Sequence, residues 1–254
     1  MRDKTILITG ASSGLGHGLA RHWAGGGNRL VVTARREPEL EALAAEVRAS
    51  GSACLIAPAD ATDAGACVGV LEAARDAFGP IDVAVLNAGG GRALSMADAT
   101  VEQVVHMHRV NYLTLVHFLF PLIEEMKARP RDDARTIAFT GSPAGYFGLP
   151  KSGAYSASKA AARVLFDTCR IELADTGIRF VALYPGFTDT PGLDASEVPS
   201  SALIIPPERA VREMARAIER GRAHHMFPKR IRLLMTLARL LPEPVRRAIF
   251  RRVS

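Results

Sequence analysis

The sequence predicts an α/β domain built on a parallel sheet, and three observations carry that expectation. Short runs of β-branched and apolar residues alternate with segments of helical periodicity from Thr5 to about Leu183, the pattern of successive βαβ units. Turns rich in glycine stand at the ends of strand-like runs, at Gly10–Gly16, Asn87–Gly91 and Tyr184-Pro185-Gly186. The 254 residues contain no Pro/Gly/Ser-rich linker, so one domain with a sizeable core is expected over 1–228, followed by a helical extension over 229–254.

Thr5 to Thr9 reads as the first strand, and it runs at once into Gly10-Ala-Ser12-Ser13-Gly14-Leu15-Gly16 and then a helical pattern through Leu19, Ala20 and Trp23. Glycines let a backbone approach a phosphate, and the helix N-terminus behind them offers unpaired N–H groups and a positive dipole end. The spacing departs from Gly-x-Gly-x-x-Gly, so that rule alone does not assign the turn. Trp23 is expected to pack in the core and His17 to face solvent. A second strand, Arg29 to Thr33, ends at Ala34-Arg35-Arg36, ahead of an amphipathic helix over 37–50. In a dinucleotide-binding sheet that strand end meets the adenosine ribose. An acidic residue there suits NAD, whereas two arginines suit a 2′-phosphate. The third strand, Ala53 to Ala57, leads to Asp60, placed to accept from an adenine amine, and to Asp63, a helix cap.

The fourth strand, Ile81 to Leu86, delivers Asn87, Ala88 and Gly89. A long helix over about 101–127 follows, too apolar between Tyr112 and Phe120 for a surface helix, so it is buried or meets a copy of itself. Asn111 inside it needs hydrogen-bond partners to be tolerated. The fifth strand, Thr136 to Phe139, precedes Ser142; the sixth, Ile178 to Leu183, precedes Pro185, Gly186, Thr188 and Thr190. In parallel sheets, ligands bind at the carboxyl ends of the strands, and every candidate residue lies at such an end.

Composition excludes several classes. Hydrophobic residues make up 48% and charged residues 23%, a globular balance. Cys54, Cys67 and Cys169 are scattered among small apolar residues, as expected of buried thiols in a reducing compartment. No apolar run approaches the length of a membrane span, and Met1 leads directly into the first strand, so a cytoplasmic protein without a signal peptide is expected. His106, His108 and His117 fall on different helix faces with no carboxylate or cysteine cluster, and no metal site is assigned. From Glu208 onward thirteen Arg or Lys oppose four Glu, a balance of +9, which leaves −3 for the first 207 residues. Basicity confined to the tail, without aromatic or motif patterning, does not predict nucleic-acid binding.

The chemistry concentrates between Ser142 and Lys159. Tyr155 and Lys159 lie four apart in an alanine-rich segment, with Ala161, Val164, Leu165 and Thr168 recurring at helical spacing, so both side chains leave one helix face. A cation beside a phenol favours the phenolate, and a hydroxyl from Ser142 can steady charge developing on the same substrate oxygen.

Taken together, Thr9-Gly10-x-x-x-Gly14-x-Gly16, Asn87-Ala88-Gly89, Asn111, Ser142, Tyr155-x-x-x-Lys159 and Pro185-Gly186 resemble the short-chain dehydrogenase/reductase family, in order and spacing, over nearly the whole chain. The resemblance implies a Rossmann-like, doubly wound seven-stranded parallel sheet carrying a nicotinamide cofactor, expected to be NADP rather than NAD. It implies that Tyr155 is the acid/base, that Ser142 orients the substrate carbonyl, and that Lys159 holds the nicotinamide ribose and lowers the tyrosine pKa. By the same resemblance Asn111 anchors a water of a proton relay, and Thr188 and Thr190 seat the nicotinamide amide. The cofactor-binding set is Gly10, Ser12, Ser13, Gly14, Leu15, Gly16, Arg35, Arg36, Asp60, Ala61, Asn87, Ala88, Gly89, Tyr155, Lys159, Pro185, Gly186, Thr188 and Thr190. One departure is visible: the family's Ser-Ser before the catalytic loop is Gly141-Ser142 here, followed by Pro143. The expected activity is reversible hydride transfer between NADP(H) and a ketone, aldehyde or secondary alcohol, in a homodimer or homotetramer; an NADP-binding sensor or scaffold without turnover is the alternative. The substrate pocket is expected between the loops over 90–97 and 191–206.

Lys229 to Leu241 reads as a basic amphipathic helix, separated by Pro242-Glu-Pro244 from a second basic segment, Val245 to Arg252. Its apolar side either packs on the protein's own domain or a partner subunit, capping the substrate pocket, or rests on an anionic membrane surface and draws in a lipophilic substrate.

Overall fold

A computed structural model describes residues 1–91, 93–195, 198 and 200–252. Parts of the two expected pocket loops, residues 92, 196, 197 and 199, and the last two residues of the expected extension lie outside the described residues. Strands β1 (Thr5–Thr9), β2 (Arg29–Thr33), β3 (Ala53–Ile56), β4 (Val83–Leu86), β5 (Arg135–Thr140), β6 (Ile178–Pro185) and β7 (His224–Phe227) form one sheet in the order β3-β2-β1-β4-β5-β6-β7. Every pairing is parallel, with Thr9 opposite Thr33 and Thr140 opposite Leu183. The order reverses between β1 and β4, so the carboxyl ends of these two strands flank the crevice of the doubly wound sheet.

Both sheet faces are covered, which is why β1, β4 and β5 are buried at every position and β1 and β4 read as continuous apolar or small runs. On one face Ile6, Ile8, Leu30 and Val32 pack against α1 (Gly14–Trp23), α2 (Glu37–Ala49) and α7 (Pro207–Glu219). On the other, Leu7, Ala84, Ile137 and Phe180 pack against α3 (Ala64–Phe78), α5 (Thr114–Lys127) and α6 (Gly153–Glu172). Trp23 is in the first core, and its indole N–H donates to Glu219 at 3.1 Å. Asp63 caps α3, its carboxylate accepting from the N–H groups of Gly65 and Ala66, and all three cysteines are buried. His17 is half-buried rather than solvent-facing, and burial lowers its pKa.

The single helix expected over 101–127 is three pieces. A segment α4 (Val101–His108), opened by a Thr100/Gln103 capping box, passes through one π-helical stretch, Arg109–Leu113, into α5. The wider turn inserts one residue, and Asn111 sits within it at 1% exposure. The apolar stripe of α6 also differs from the one periodicity suggests: Ala154, Ser158, Ala162, Phe166 and Cys169 face the core, while Val164 is 54% exposed. The small residues win because α6 lies close against the sheet and the Ser142 turn: a Cβ on Gly145 would come within 2.9 Å of the Lys159 backbone. The tail forms α8 (Lys229–Leu240) and α9 (Glu243–Arg252), with Ile231 buried in the second core and Met235 partly buried against it.

Candidate active site

The carboxyl ends of β1 and β4 are tied by one hydroxyl. Thr9 Oγ1 accepts from the N–H of Asn87 at 2.9 Å and of Ala88 at 3.0 Å, while the Asn87 amide donates to the Thr9 and Gly10 carbonyls. The glycines between them are sterically required. Gly10 has φ 65°, and a Cβ there would come within 2.9 Å of Ala88 Cα; a Cβ on Gly16 would run into the Gly10 carbonyl. Ser13, the N-cap of α1, gives no side-chain hydrogen bond to the helix end, so the first-turn N–H groups remain available to an anion. This backbone cradle fits the pyrophosphate of a dinucleotide.

Arg36, not Arg35, spans the edge of the cradle. Its guanidinium donates to Ser12 Oγ at 3.0 Å and Ser13 Oγ at 2.9 Å and pairs with Glu39 at 3.1 Å. Arg35 is exposed; the hydrogen bond from the Thr62 backbone is the main cause that holds the Asp60 carboxyl below its ordinary pKa, with Arg35's charge adding to it. One Asp60 oxygen is thus taken by Thr62 N–H and hydroxyl at 2.9 and 2.8 Å. Ala61 lies at the other wall, where its carbonyl is 3.1 Å from His117 Nδ1. Across the crevice, Gly186 N–H donates to the Phe227 carbonyl, the Thr188 hydroxyl to the Gly186 carbonyl, and the Thr190 hydroxyl to the Thr188 carbonyl. The Thr190 side chain closes on the glycine turn, 3.5 Å from where a Cβ on Gly14 would stand.

The polar quartet converges beyond Gly89. The Asn111 amide grips the backbone of Gly90, donating to its carbonyl at 2.7 Å and accepting from its N–H at 3.0 Å, and donates again to Met107 O. A Cβ on Gly89 would come within 2.8 Å of Asn111 Oδ1 and 3.2 Å of Lys159 Nζ, which places the two side chains side by side. Lys159 is 4% exposed and donates to the Thr140 carbonyl at 3.1 Å. Burial without a carboxylate partner pushes its pKa down to about 8. Its Nζ lies 5.8 Å from the centre of the Tyr155 ring, and that ring fills the space beside Gly91. Burial raises the Tyr155 pKa, and a hydrogen bond with Ser142 opposes the rise. Burial is the larger cause at both groups, and it opposes charge on each.

Gly141 has a local reason. A Cβ at that position would come within 2.8 Å of the Tyr184 ring, so the serine usual before Ser142 has no room. Ser142 itself caps the short turn Pro143–Tyr146 by accepting from Ala144 N–H at 3.2 Å. Thr140 holds the site without having been singled out by sequence, because it acts through a backbone carbonyl that carries no sequence signal, whereas Thr9 and Gly90 lie in the turns the sequence marked, with roles that only the structure assigns.

Sheet and site together define a dinucleotide-type α/β architecture with a Ser-Tyr-Lys-Asn constellation at its switch point. The chain belongs to the short-chain dehydrogenase/reductase family of oxidoreductases: the short chain dehydrogenase family model matches residues 4–198. An uncharacterized oxidoreductase of Myxococcus xanthus is 33% identical over 253 residues, covering 100% of this chain and 98% of that one. The 11-beta-hydroxysteroid dehydrogenase-like protein 4A of Arabidopsis thaliana is 30% identical, over 96% of this chain and 82% of its own. Among solved structures, an alcohol dehydrogenase of Thermococcus sibiricus complexed with 5-hydroxy-NADP is 27% identical with TM-score 0.77, over 88% of this chain and 95% of its own. A short chain dehydrogenase/reductase of Burkholderia phymatum in complex with NAD, 24% identical with TM-score 0.84 over 94% of this chain and 93% of its own, shares the fold. Among the described residues, no helix is long and apolar enough to cross a membrane.

Proposed function

We propose that the protein is an NADP(H)-dependent oxidoreductase acting on a ketone, aldehyde or secondary alcohol with a lipophilic body, with Tyr155 as acid/base. The observation that carries the reading is the meeting of Ser142, Tyr155, Lys159 and Asn111 beside the glycine cradle. The nicotinamide, when bound, supplies or accepts the hydride. Tyr155 gives a proton to the substrate oxygen in reduction, and its raised pKa keeps that proton in place at neutral pH. Ser142 donates a hydrogen bond to the same oxygen. Lys159, held by Thr140 O next to Gly89, meets the nicotinamide ribose and favours the phenolate once it gains that partner. Asn111 fixes Gly90 and with it the wall against which Tyr155 lies, and anchors the relay water through the same widened turn. Thr188 and Thr190 seat the nicotinamide amide, and Asp60 and Ala61 border the adenine.

The choice of NADP rests on Arg36, whose guanidinium lies across Ser12 and Ser13 where a 2′-phosphate would approach, with Arg35 beside it. A screen of ketones and alcohols with NADPH and NADH, followed by nicotinamide absorbance, tests both parts. Turnover with NADPH but not NADH is expected; no turnover with tight NADPH binding would favour the sensor reading instead.

We assign the outer faces of α4, α5 and α6 to contact with a second copy of the chain, since Val101, Val104, Phe120, Val164 and Ile171 are exposed there. A monomer by light scattering would overturn this. The tail uses one face internally, yet Leu233, Leu237 and Leu240 remain 53–76% exposed beside Lys229 and Arg230. That outward face suits anionic lipid. Full-length protein should co-sediment with phosphatidylglycerol vesicles at low salt and lose this with Leu233→Ser plus Leu237→Ser; no binding at low salt rejects the contact.

A further inference from the structure

A cavity of about 590 Å³ opens at the start of α6, and the tail forms one of its walls. Its apolar lining includes Met96, Phe147, Leu149 and Phe250; its charged groups are Arg246, Arg247 and Glu243. Two stretches of its lining lie close in the chain to catalytic residues. Phe147 follows Ser142 by five residues at the end of the short turn, and Gly153, also in the lining, precedes Tyr155 by about 3 Å of helical rise. Met96 packs over Gly153, so a Cβ there would come within 2.7 Å of Met96 Sδ and displace that side chain. The tail is locked to this wall by ring contacts. Phe250 meets Phe147 edge-on at 5.8 Å, and the Arg246 guanidinium stands 5.4 Å over the Phe147 ring.

The charges in and behind this wall do not balance. Among the described residues neither Arg246 nor Arg247 forms an ion pair, and Glu243 is the one carboxylate in the lining. Behind Tyr146, Arg239 lies 4.1 Å over the ring, also without an ion pair among the described residues, and Arg163 stands 4.6 Å from the same ring while sharing Asp167 with Arg170. A mostly apolar cavity with surplus guanidinium charge at one end suits an amphipathic anion: the walls take up its body, and the forked donors bind its oxygens.

Resting on the oxidoreductase reading above, we propose that Arg246 and Arg247 hold the carboxylate of a substrate whose apolar body lies against Met96, Phe147 and Phe250, with its carbonyl or carbinol carbon at Ser142 and Tyr155. The tail is then a specificity element of the catalytic site. Calorimetric titration of the full chain at low ionic strength, with 4-phenylbutyrate and 4-phenylbutan-1-ol as probes, tests this. The carboxylate should bind at least tenfold more tightly than the alcohol. Arg246→Gln combined with Arg247→Gln should erase the difference while the alcohol still binds, which reports an intact cavity, and Glu243→Gln should tighten the carboxylate severalfold. Equal affinity for the two probes, no binding of either, or a preference that survives the double substitution overturns the proposal. Because binding is read without hydride transfer, NADPH-dependent reduction of a neutral ketone that persists after such a failure spares the oxidoreductase reading. Carboxylate preference without any nicotinamide turnover would instead sink that reading alone.

Discussion

The two sides of the crevice are built from different materials. The nucleotide side, between Thr9 and Gly91, is a backbone surface: Gly10, Gly14 and Gly16 leave it bare, and Thr9 and Asn87 fasten it through main-chain partners. The cavity at the start of α6, where we place the substrate, is made of side chains from three separated segments, Met96, the turn after Ser142, and the tail at Arg246 and Phe250. Where backbone meets backbone, as at Gly10 and Gly16, an added carbon has no room, whereas a surface made of side chains can be reshaped residue by residue. The lesson is that cofactor geometry is fixed by what is missing and substrate fit by what is present.

Tyr155, which stands where the two sides meet, should give the largest effect. Tyr155→Phe removes the donated proton while leaving the cradle intact, so turnover should fall at least about a hundredfold. NADPH affinity, followed by fluorescence titration, should stay within a factor of two. Near-normal turnover would remove Tyr155 from the acid/base role.

Gly16→Ala challenges the backbone side with a single carbon. The new Cβ meets the Gly10 carbonyl and the Asn87 amide, and overpacking of this kind costs about 1–3 kcal/mol. Both NADPH affinity and melting temperature should drop. A variant with native affinity would show that the turn has slack.

Lys159 tests the cost of burying charge between the two sides. Its pKa is lowered to about 8 in the folded protein from 10.5, so the folded state binds fewer protons than the unfolded chain between those values. Stability therefore rises with pH across that window. Lys159→Met should lose the rise, and the difference between the two proteins in urea unfolding should change on the order of 2 kcal/mol from pH 8 to 10. Parallel pH profiles would place the ammonium in contact with water.

At the rim of the cradle, Arg36→Gln should weaken NADPH roughly tenfold, the scale of a hydrogen bond to a charged group, and leave NADH unchanged. Arg35→Asp should reverse the preference by repelling the 2′-phosphate and offering an acceptor to ribose hydroxyls. Equal loss of both cofactors would assign Arg36 to loop structure. The smallest effect is expected on the substrate side: a Phe147/Phe250 double-mutant cycle by thermal denaturation should yield about 0.5–1.5 kcal/mol, the worth of an edge-on aromatic pair. A coupling of zero would mean that the tail is held elsewhere.

Much of the sheet was legible because a strand buried on both faces announces itself locally, as Thr5–Thr9 and Val83–Leu86 do. The glycine turn, Asn87-Ala88-Gly89, Ser142 and Tyr155-x-x-x-Lys159 were legible for a related reason: each is a short segment whose geometry depends on its own residues. β7 was not, because a four-residue strand, His224–Phe227, carries no periodicity and is defined by its pairing with β6. Nor was the inward face of α6, where contact with the Ser142 turn favours small residues over Val164.

The sequence by itself determined the parallel α/β architecture and the glycine turns at its strand ends, since strand burial and the steric rules at glycine are written over a few residues. Tertiary structure decided which arginine spans Ser12 and Ser13, that Tyr184 excludes a serine at position 141, and that Tyr155 and Lys159 are both desolvated. It also decided that the tail residues Glu243 to Phe250, far from Phe147 in the chain, wall the same cavity. Burial and long-range contact are properties of the packed whole, so no window of sequence contains them.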